Sequence, residues 1–296
     1  MANNIDLAKV YAPMLDEVYK QASLTNMLDT AQELIREGYN ANEIIVPKID
    51  MDGLANYTRN SGYVTGDVTL VWETVKAEFD RGRKFGVDDL DNIETGGIVF
   101  GRLSGEFIRT KVVPELDAYR FAKYASAKDV SKAYGDLATG IDVVAALRAG
   151  TTQMDEDEVP MENRILYITP TNSGLVDDLD TTKSRAVLAR FTTVVLVPQT
   201  RFYTAITQLD GKTSGQEKGG YKKADKASEL NFMIIHPSAV IQANKLVKPK
   251  ILPPEVNENA DEWIYGYRLV SYASVYENKA AGIYAHIAGT APVNGK

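Results

Sequence analysis

Ile44-Ile45-Val46-Pro47-Lys48-Ile49, and then Val68-Thr69-Leu70-Val71-Trp72-Glu73-Thr74-Val75-Lys76-Ala77-Glu78-Phe79-Asp80, flank a stretch at 50–67 rich in Gly, Asn, Asp, Thr and Ser. Each flank is a β-branched, aromatic run of strand length. The two read as one long hairpin, with Tyr57 and Tyr63 at its tip and Pro47 favouring an edge position. Val68, Leu70, Trp72, Thr74, Lys76, Glu78 and Asp80 fall on one side of the second strand. Thr69, Val71, Glu73, Val75, Ala77 and Phe79 fall on the other. Neither side is a clean core face. A two-stranded ribbon is marginal in water on its own, so Tyr57, Tyr63, Trp72 and Phe79 call for another surface to cover them. A hairpin packed on its own domain is the competing reading.

Beyond the ribbon, Ile93, Phe100, Leu103 and Phe107 recur at helical spacing, and the helix is expected over 91–125. Asp91 with Glu94 suits a capping box. Gly97, Gly101 and Gly105 make a small-residue stripe that implies either close packing or fraying. Pro114 must kink the helix. At about 30 residues it would be roughly 45 Å long, a spine for a plate-like subunit. Leu7, Tyr11, Met14, Leu15 and Val18 suggest an amphipathic segment over 5–20, and 31–38 reads as a short helix or turn ending at Gly38. Leu137, Ile141, Val144 and Leu147 give a further helix. Strands are expected at Arg164–Thr169, Thr193–Val197, Asn231–His236, Trp263–Val270 and Ser274–Tyr276, and 208–229, with four glycines and five lysines, reads as a mobile loop. Strands and helices in this order give an α+β or α/β sheet, of which α+β is the expected class.

The chain has 296 residues, 44% of them hydrophobic, and a net charge of −7. There is no apolar run long enough for a membrane helix and no secretory pattern at the start, so a cytoplasmic site of synthesis is expected. The absence of cysteine removes disulfides and thiolate chemistry. The acidic balance, without a basic run, argues against a protein that grips DNA through phosphates. His236 and His286 are isolated and read as structural. The Asp88-Asp89-Leu90-Asp91 cluster lacks the ligand offsets of an EF-hand and reads as a solvated helix cap. No phosphate loop or nucleophile elbow is present. No catalytic, cofactor-binding or metal residue is therefore nominated, although a cytoplasmic hydrolase or transferase using an acidic cluster stays open as an alternative.

The order of these pieces resembles the major capsid proteins of tailed bacteriophages with the HK97-type fold. Ile45-Val46-Pro47-Lys48-Ile49, Gly62-Tyr63-Val64 and Leu70-Val71-Trp72-Glu73-Thr74 are similar to the family's hairpin. Asp80-Arg81-Gly82-Arg83-Lys84-Phe85-Gly86-Val87-Asp88 and Val113-Pro114-Glu115-Leu116-Asp117-Ala118-Tyr119-Arg120 are similar to the start and end of its spine region. Asn163–Pro170, Pro198–Tyr203 and Ile235–Ala239 fit its later strands. The resemblance implies an N-terminal arm at 1–41, an extended hairpin (E-loop) at 42–80 and a P-domain with the spine helix at 81–132. It further implies an A-domain at 133–251 and C-terminal strands at 252–296 returning to the P- and A-domains. It implies a structural subunit that self-assembles into hexamers and pentamers of an icosahedral head, encloses DNA without sequence-specific binding and resides in the virion after assembly in the host cytoplasm. A separate scaffolding protein, a portal and decoration proteins are the expected partners, with no cofactor. Tyr57, Tyr63, Trp72, Phe79, Arg81, Arg83, Asp88 and Asp89 are the expected intersubunit contacts. An encapsulin-like compartment shell is the alternative within the same fold.

Overall fold

The computed structural model describes residues 23–30, 36–37, 43–57, 59, 62–89, 98–179, 181–257 and 260–291. The segment expected at 5–20, the Asp91–Glu94 cap and Gly97 lie outside them. Among the described residues the first strands are β1 (Arg36–Glu37), β2 (Glu43–Met51), β3 (Val68–Lys76) and β4 (Phe79–Asp88). The ribbon is thus β2 and β3, paired antiparallel from Glu43↔Lys76 to Met51↔Val68. Arg36 and Glu37, expected in a short helix or turn, instead form a third strand against Ile45 and Ile44. That strand stops short of Pro47, which therefore has an open side although β2 is central in its sheet.

The single strand expected from Val68 to Asp80 is in fact two. It breaks at Ala77-Glu78, and β4 joins a different sheet, ordered β11-β12-β4, with β11 at Val240–Leu252 and β12 at Glu262–Val275. The break changes the surroundings of Phe79, which is fully buried and packs on Tyr119 with ring centroids 5.1 Å apart. β12 runs through both segments expected at 263–270 and 274–276 without interruption. β11 carries no apolar alternation over Lys245–Lys250 because it is an edge strand with one face in water, and Pro249 sits in it as prolines do at edges. Gly82 is needed in β4, since a Cβ there would lie 2.8 Å from the Tyr267 carbonyl oxygen.

The spine is helical from α1 (Ile98–Phe107) through a π-turn (Ile108–Val112) into α2 (Val113–Ser126). The π-turn is the physical form of the kink expected at Pro114. Proline offers no N–H, and its ring crowds the preceding turn; the Val113 N–H reaches back to the Ile108 carbonyl, the i→i−5 pattern of a π-bulge. The Thr110 hydroxyl donates to the Glu106 carbonyl at 2.7 Å, covering an acceptor near the irregular turn. Gly105 has nothing within 4 Å of where a Cβ would sit, so the close packing inferred from the glycine stripe is not made there within the subunit.

A third sheet has the order β5-β13-β10-β6-β7, formed by β5 (Ser131–Tyr134), β6 (Ile165–Ile168), β7 (Thr193–Leu196), β10 (Leu230–Ile235) and β13 (Ile283–Ile287). β6–β7 and β13–β5 are parallel and the other pairs antiparallel. On one face lie α3 (Gly140–Glu156), α4 (Pro170–Asp177) and α5 (Thr182–Leu188), burying Val143, Leu147 and Met154 of α3 against Leu166, Ile168, Phe232 and Ile234. The buried stripe of α3 thus runs through Val143 rather than Ile141, which is exposed. The other face packs on α2, where Phe121 meets Tyr167 and Phe202 edge-on. Since Leu116, Tyr119 and Tyr124 share that core with Tyr265, Tyr267 and Leu269 of β12, α2 is covered from two sides. Eleven of its fourteen residues are buried, which is the environment of an all-round apolar helix.

The glycine-rich stretch expected to be mobile contains a second hairpin, β8 (Ile206–Gln208) with β9 (Tyr221–Lys223). Asp210 organises its turn by accepting from the Lys212 and Thr213 amides and the Thr213 hydroxyl. Gly211, Gly215, Gly219 and Gly220 supply the positive φ angles that other residues resist.

Candidate assembly site

The ribbon divides into an anchored base and a free outer half. Opposed residues share a face of a sheet, so Ile44, Val46, Lys48, Glu73 and Val75 form one face and Ile45, Pro47, Trp72 and Thr74 the other. At the base, the first face packs Ile44, Val46 and Val75 on Ile241, Tyr272 and Tyr276. Among the described residues the opposite face meets no core. Trp72 is 37% exposed and carries the Arg36 guanidinium over its ring, 4.8 Å from the centroid. Farther out, Leu70, Val68 and Met51 are exposed, as are Leu54 at 107%, Tyr57 at 58% and Tyr63 at 90%. Asp52 and Asp67 close the neck of the tip through Asp52 N–H to the Asp67 carbonyl and Asp67 N–H to the Asp52 carboxylate. Tyr57 and Tyr63 lean on each other with centroids 4.9 Å apart. Single exposed apolar residues are ordinary, but a contiguous set of this kind marks an interaction surface.

The eight expected contact residues fall into two groups. Tyr57, Tyr63 and Trp72 are on the ribbon. Phe79, Arg81, Arg83, Asp88 and Asp89 are on β4 or just after it, and several are engaged within the subunit. Phe79 is core, so the expectation that it waits for a neighbour does not hold. Arg81 donates through Nε to Glu115 at 2.7 Å and through Nη2 to the Leu209 and Gly220 carbonyls at 2.7 and 3.2 Å. Burial raises the Glu115 pKa, and the Arg81 guanidinium pulls it back. Arg83 donates to the Glu217 carbonyl at 3.0 Å. These two arginines pin the β8–β9 hairpin against β4 and the spine. Asp89 accepts from Trp263 Nε1 at 2.8 Å, and Asp88 pairs in register with Glu262 at the end of the sheet.

Between α1, the π-turn, β4, β12 and the β8–β9 hairpin lies a groove of about 1000 Å³. Phe85, Leu103, Phe107, Tyr203, Leu209 and Tyr221 give it an apolar floor, and Arg83, Lys111 and Lys222 stand on its rim. The hairpin wall was hidden in the sequence by its polar, glycine-rich composition.

A buried polar socket on α2 also escaped the sequence reading. Asp117 and Arg120 have no exposed surface. Asp117 accepts from the Ser23 hydroxyl, the Leu24 amide and the Thr25 hydroxyl at 3.1, 3.1 and 2.8 Å. Arg120 donates to Thr25, Asn244 and Ser271. Burial pushes the Asp117 carboxyl upward, while its hydrogen bonds and the nearby Arg120 and Arg201 pull it down. The socket ties residues 23–25 to the spine. Its signal in the sequence is faint, since Asp117 and Arg120 are two of four charged residues in α2, with Glu115 and Lys123, and nothing in the pattern marks them as the fully buried pair. His286 is buried, stacks on Phe232 and accepts at Nδ1 from Asn231 at 3.0 Å, while His236 holds Ser238 at 2.7 Å. Among the described residues no cluster of His, Asp and Glu converges as a metal site, and no helix is long and apolar enough to cross a membrane.

No protein-family model matches the sequence, and no curated protein is similar to it. Solved structures are similar in fold. The capsid structure of the cyanophage P-SCSP1u superimposes with a TM-score of 0.57 at 13% identity, over 89% of this chain and 87% of that one. A subunit of the mature capsid of bacteriophage PhiM1 gives 0.53 at 14%, over 85% and 83%. The virus-like particle from Pyrococcus furiosus gives 0.52 at 11%, over 93% and 99%. With its exposed ribbon, long spine helix, and the three-stranded and five-stranded sheets that flank α2, this chain has the HK97-type fold of these capsid shells.

Proposed function

We propose that the protein is a major capsid protein, a shell subunit with a structural rather than a catalytic role. The observation that carries this is the ribbon: its aromatic outer half is left in water by a subunit that is otherwise well packed, and the capsid structures it resembles are assemblies. In this reading the E-loop lies over a neighbouring subunit, and hexamers and pentamers close an icosahedral head around DNA in the virion, with assembly in the host cytoplasm. A scaffolding protein, a portal and decoration proteins are the partners such a head would take. The arm (1–41), E-loop (42–80), P-domain (81–132), A-domain (133–251) and returning strands (252–296) remain the working division, with two refinements. The pairing of β4 with β12 supports ending the E-loop at Lys76, and the pairing of β11 with β12 supports moving Val240–Leu252 to the P-domain sheet.

A second reading, an encapsulin-like compartment, is favoured by the likeness to the Pyrococcus furiosus virus-like particle. Purified protein examined by negative-stain microscopy tests both. Hollow particles are expected, and a monodisperse monomer of about 33 kDa would overturn both. Particles carrying DNA from phage-infected cells would favour the first reading, and particles filled with one cargo enzyme the second.

A further inference from the structure

The groove beneath the β8–β9 hairpin is built like a small-molecule site. Its volume of about 1000 Å³ is at the upper end of the range such sites take, roughly 300–1000 Å³. The floor is a cluster of rings around Phe107, which meets Phe85, Tyr265 and Tyr267 edge-on with centroids 4.8, 6.4 and 6.1 Å away. Phe85, Leu103, Phe107 and Tyr221 line it half-buried, so the subunit leaves part of each uncovered. The charges around this floor are one-sided. Six basic residues line the groove against three acidic ones, Glu106, Glu115 and Asp210. Each acid is already engaged: Glu115 by Arg81, Glu106 by Arg109 at 2.8 Å, and Asp210 by the turn amides. Lys223 is likewise paired with Glu229. Lys111, Lys218 and Lys222 are exposed and make no ion pair among the described residues. Lys111 belongs to the π-turn, a distortion frequent at functional sites.

We propose that this groove binds an aromatic organic anion, with its ring system on the Phe107 cluster and its carboxylate, sulfonate or phosphate held by the lysine rim. The floor sets the first requirement, because ring-on-ring contacts gain more than their buried area alone gives. The rim sets the second, because charge-assisted hydrogen bonds are the strongest that lysines can offer a ligand. A neutral aromatic would leave the rim without a partner, and a small inorganic anion would leave the floor in water. The site is preformed. Arg81 joins the two strands of the hairpin by donating to the Leu209 and Gly220 carbonyls, Glu115 holds Arg81 in place, and Arg83 fixes the Glu217 carbonyl. Little ordering therefore remains to be lost on binding. The inference concerns the single subunit and does not depend on the shell reading above.

Anilinonaphthalene sulfonate carries both features and fluoresces when bound. Titrated into the purified chain, it should fill one saturable site per chain. Lys111→Ala with Lys222→Ala should weaken it about tenfold or more. Both lysines are exposed, so this variant should keep its melting temperature; if it does not, Lys222→Gln alone should still weaken binding severalfold. Trp72→Ala, on the ribbon, should leave the affinity unchanged. Adenosine monophosphate and naphthoate, as competitors, separate a nucleotide from a plain aromatic acid, and displacement by either supports the site. Inorganic phosphate and neutral naphthalene each carry half of the ligand and should compete at least tenfold less well. Weaker binding in Trp72→Ala with none lost in the lysine variant would put the probe on the ribbon and overturn the proposal. Uptake that does not saturate, displacement by neither aromatic acid nor nucleotide, or phosphate competing as well as the nucleotide would overturn it too. Hollow particles, or their absence, would leave these outcomes as they are, so the groove and the shell reading fail separately.

Discussion

The ribbon and the spine helix treat side chains in opposite ways. The ribbon leaves Leu54 and Tyr63 in water, whereas the helix takes Asp117 and Arg120 out of it. Each arrangement is costly for an isolated subunit. Exposed aromatics forgo transfer energy of about 1.5–3 kcal/mol per large side chain, and buried charges need complete partnering. The helix meets its cost internally, through Ser23, Leu24, Thr25, Asn244 and Ser271. Within the described residues the ribbon has no comparable compensation beyond its base. In the proposed shell, one region is finished when the chain folds, and the other when a neighbour arrives.

Perturbations of the two regions should therefore separate folding from assembly. The largest expected effect is on the ribbon. Replacing residues 50–66 by an Asn-Gly turn should abolish particles while leaving the urea midpoint of the unassembled subunit nearly unchanged. Particles of normal appearance from that variant would break the contrast. Next, Phe79→Ala should cost the subunit about 3–5 kcal/mol, as large core aromatics do. Trp72→Ala, seven residues earlier, should cost the subunit under about 1 kcal/mol yet weaken each contact by roughly 2 kcal/mol. Urea unfolding and the critical concentration for assembly measure the two quantities, and the reverse pattern would mean Trp72 is core. Gly140→Ala should destabilise the subunit by about 1–3 kcal/mol through overpacking, less than the Phe79 truncation. Its Cβ would fall 2.1 Å from the Leu175 carbonyl oxygen, where α3 meets α4. A rise in melting temperature would refute that close approach.

The smallest effect is on pH dependence. Burial lowers the His286 pKa from its usual 6.5, so the folded state binds fewer protons at that site than the unfolded chain does. Its contribution to stability is complete above pH 6.5 and lost as pH falls through the lowered value. Glu115 and Asp117, raised by burial, have the opposite sign: their contribution is complete at low pH and lost as pH rises through the raised values. Urea midpoints at pH 7, 6 and 5 should fall less steeply in His286→Gln than in the wild type, and identical slopes would show that His286 does not titrate in this range.

Elements with both faces dry, or with one clean stripe, were legible in the sequence. β6, β10 and the inner part of β12 are apolar runs, and the ribbon strands announced themselves through Ile, Val and Trp. What was not legible is what the neighbouring element decides. Arg81-Gly82-Arg83-Lys84 is a strand because β12 offers it a partner, not because of its own pattern. β11 is polar along its outer face because it is an edge. Ile141 looks like core by period, yet α3 turns Val143 inward to meet the sheet. For the site, Trp72 and the tip tyrosines could be found from composition. The groove could not, since its floor comes from α1, β4, β12 and a hairpin disguised as a loop. Phe79 shows the same limit from the other side: a two-residue break in the strand, invisible to alternation, moves it from the ribbon into the core.

Pro47 has a further consequence for the unassembled protein. Among the described residues, no strand covers either edge of the ribbon beyond Ile45, and such edges invite strand addition from other chains. An incoming strand on the β2 side finds no N–H at Pro47, whereas the β3 side has no proline between Val68 and Lys76. A ribbon with one obstructed edge can pair once, but it makes a poor repeat unit for an open fibre. Pro47 thus biases the unassembled subunit, with its aromatics exposed, against fibrous aggregation along that edge.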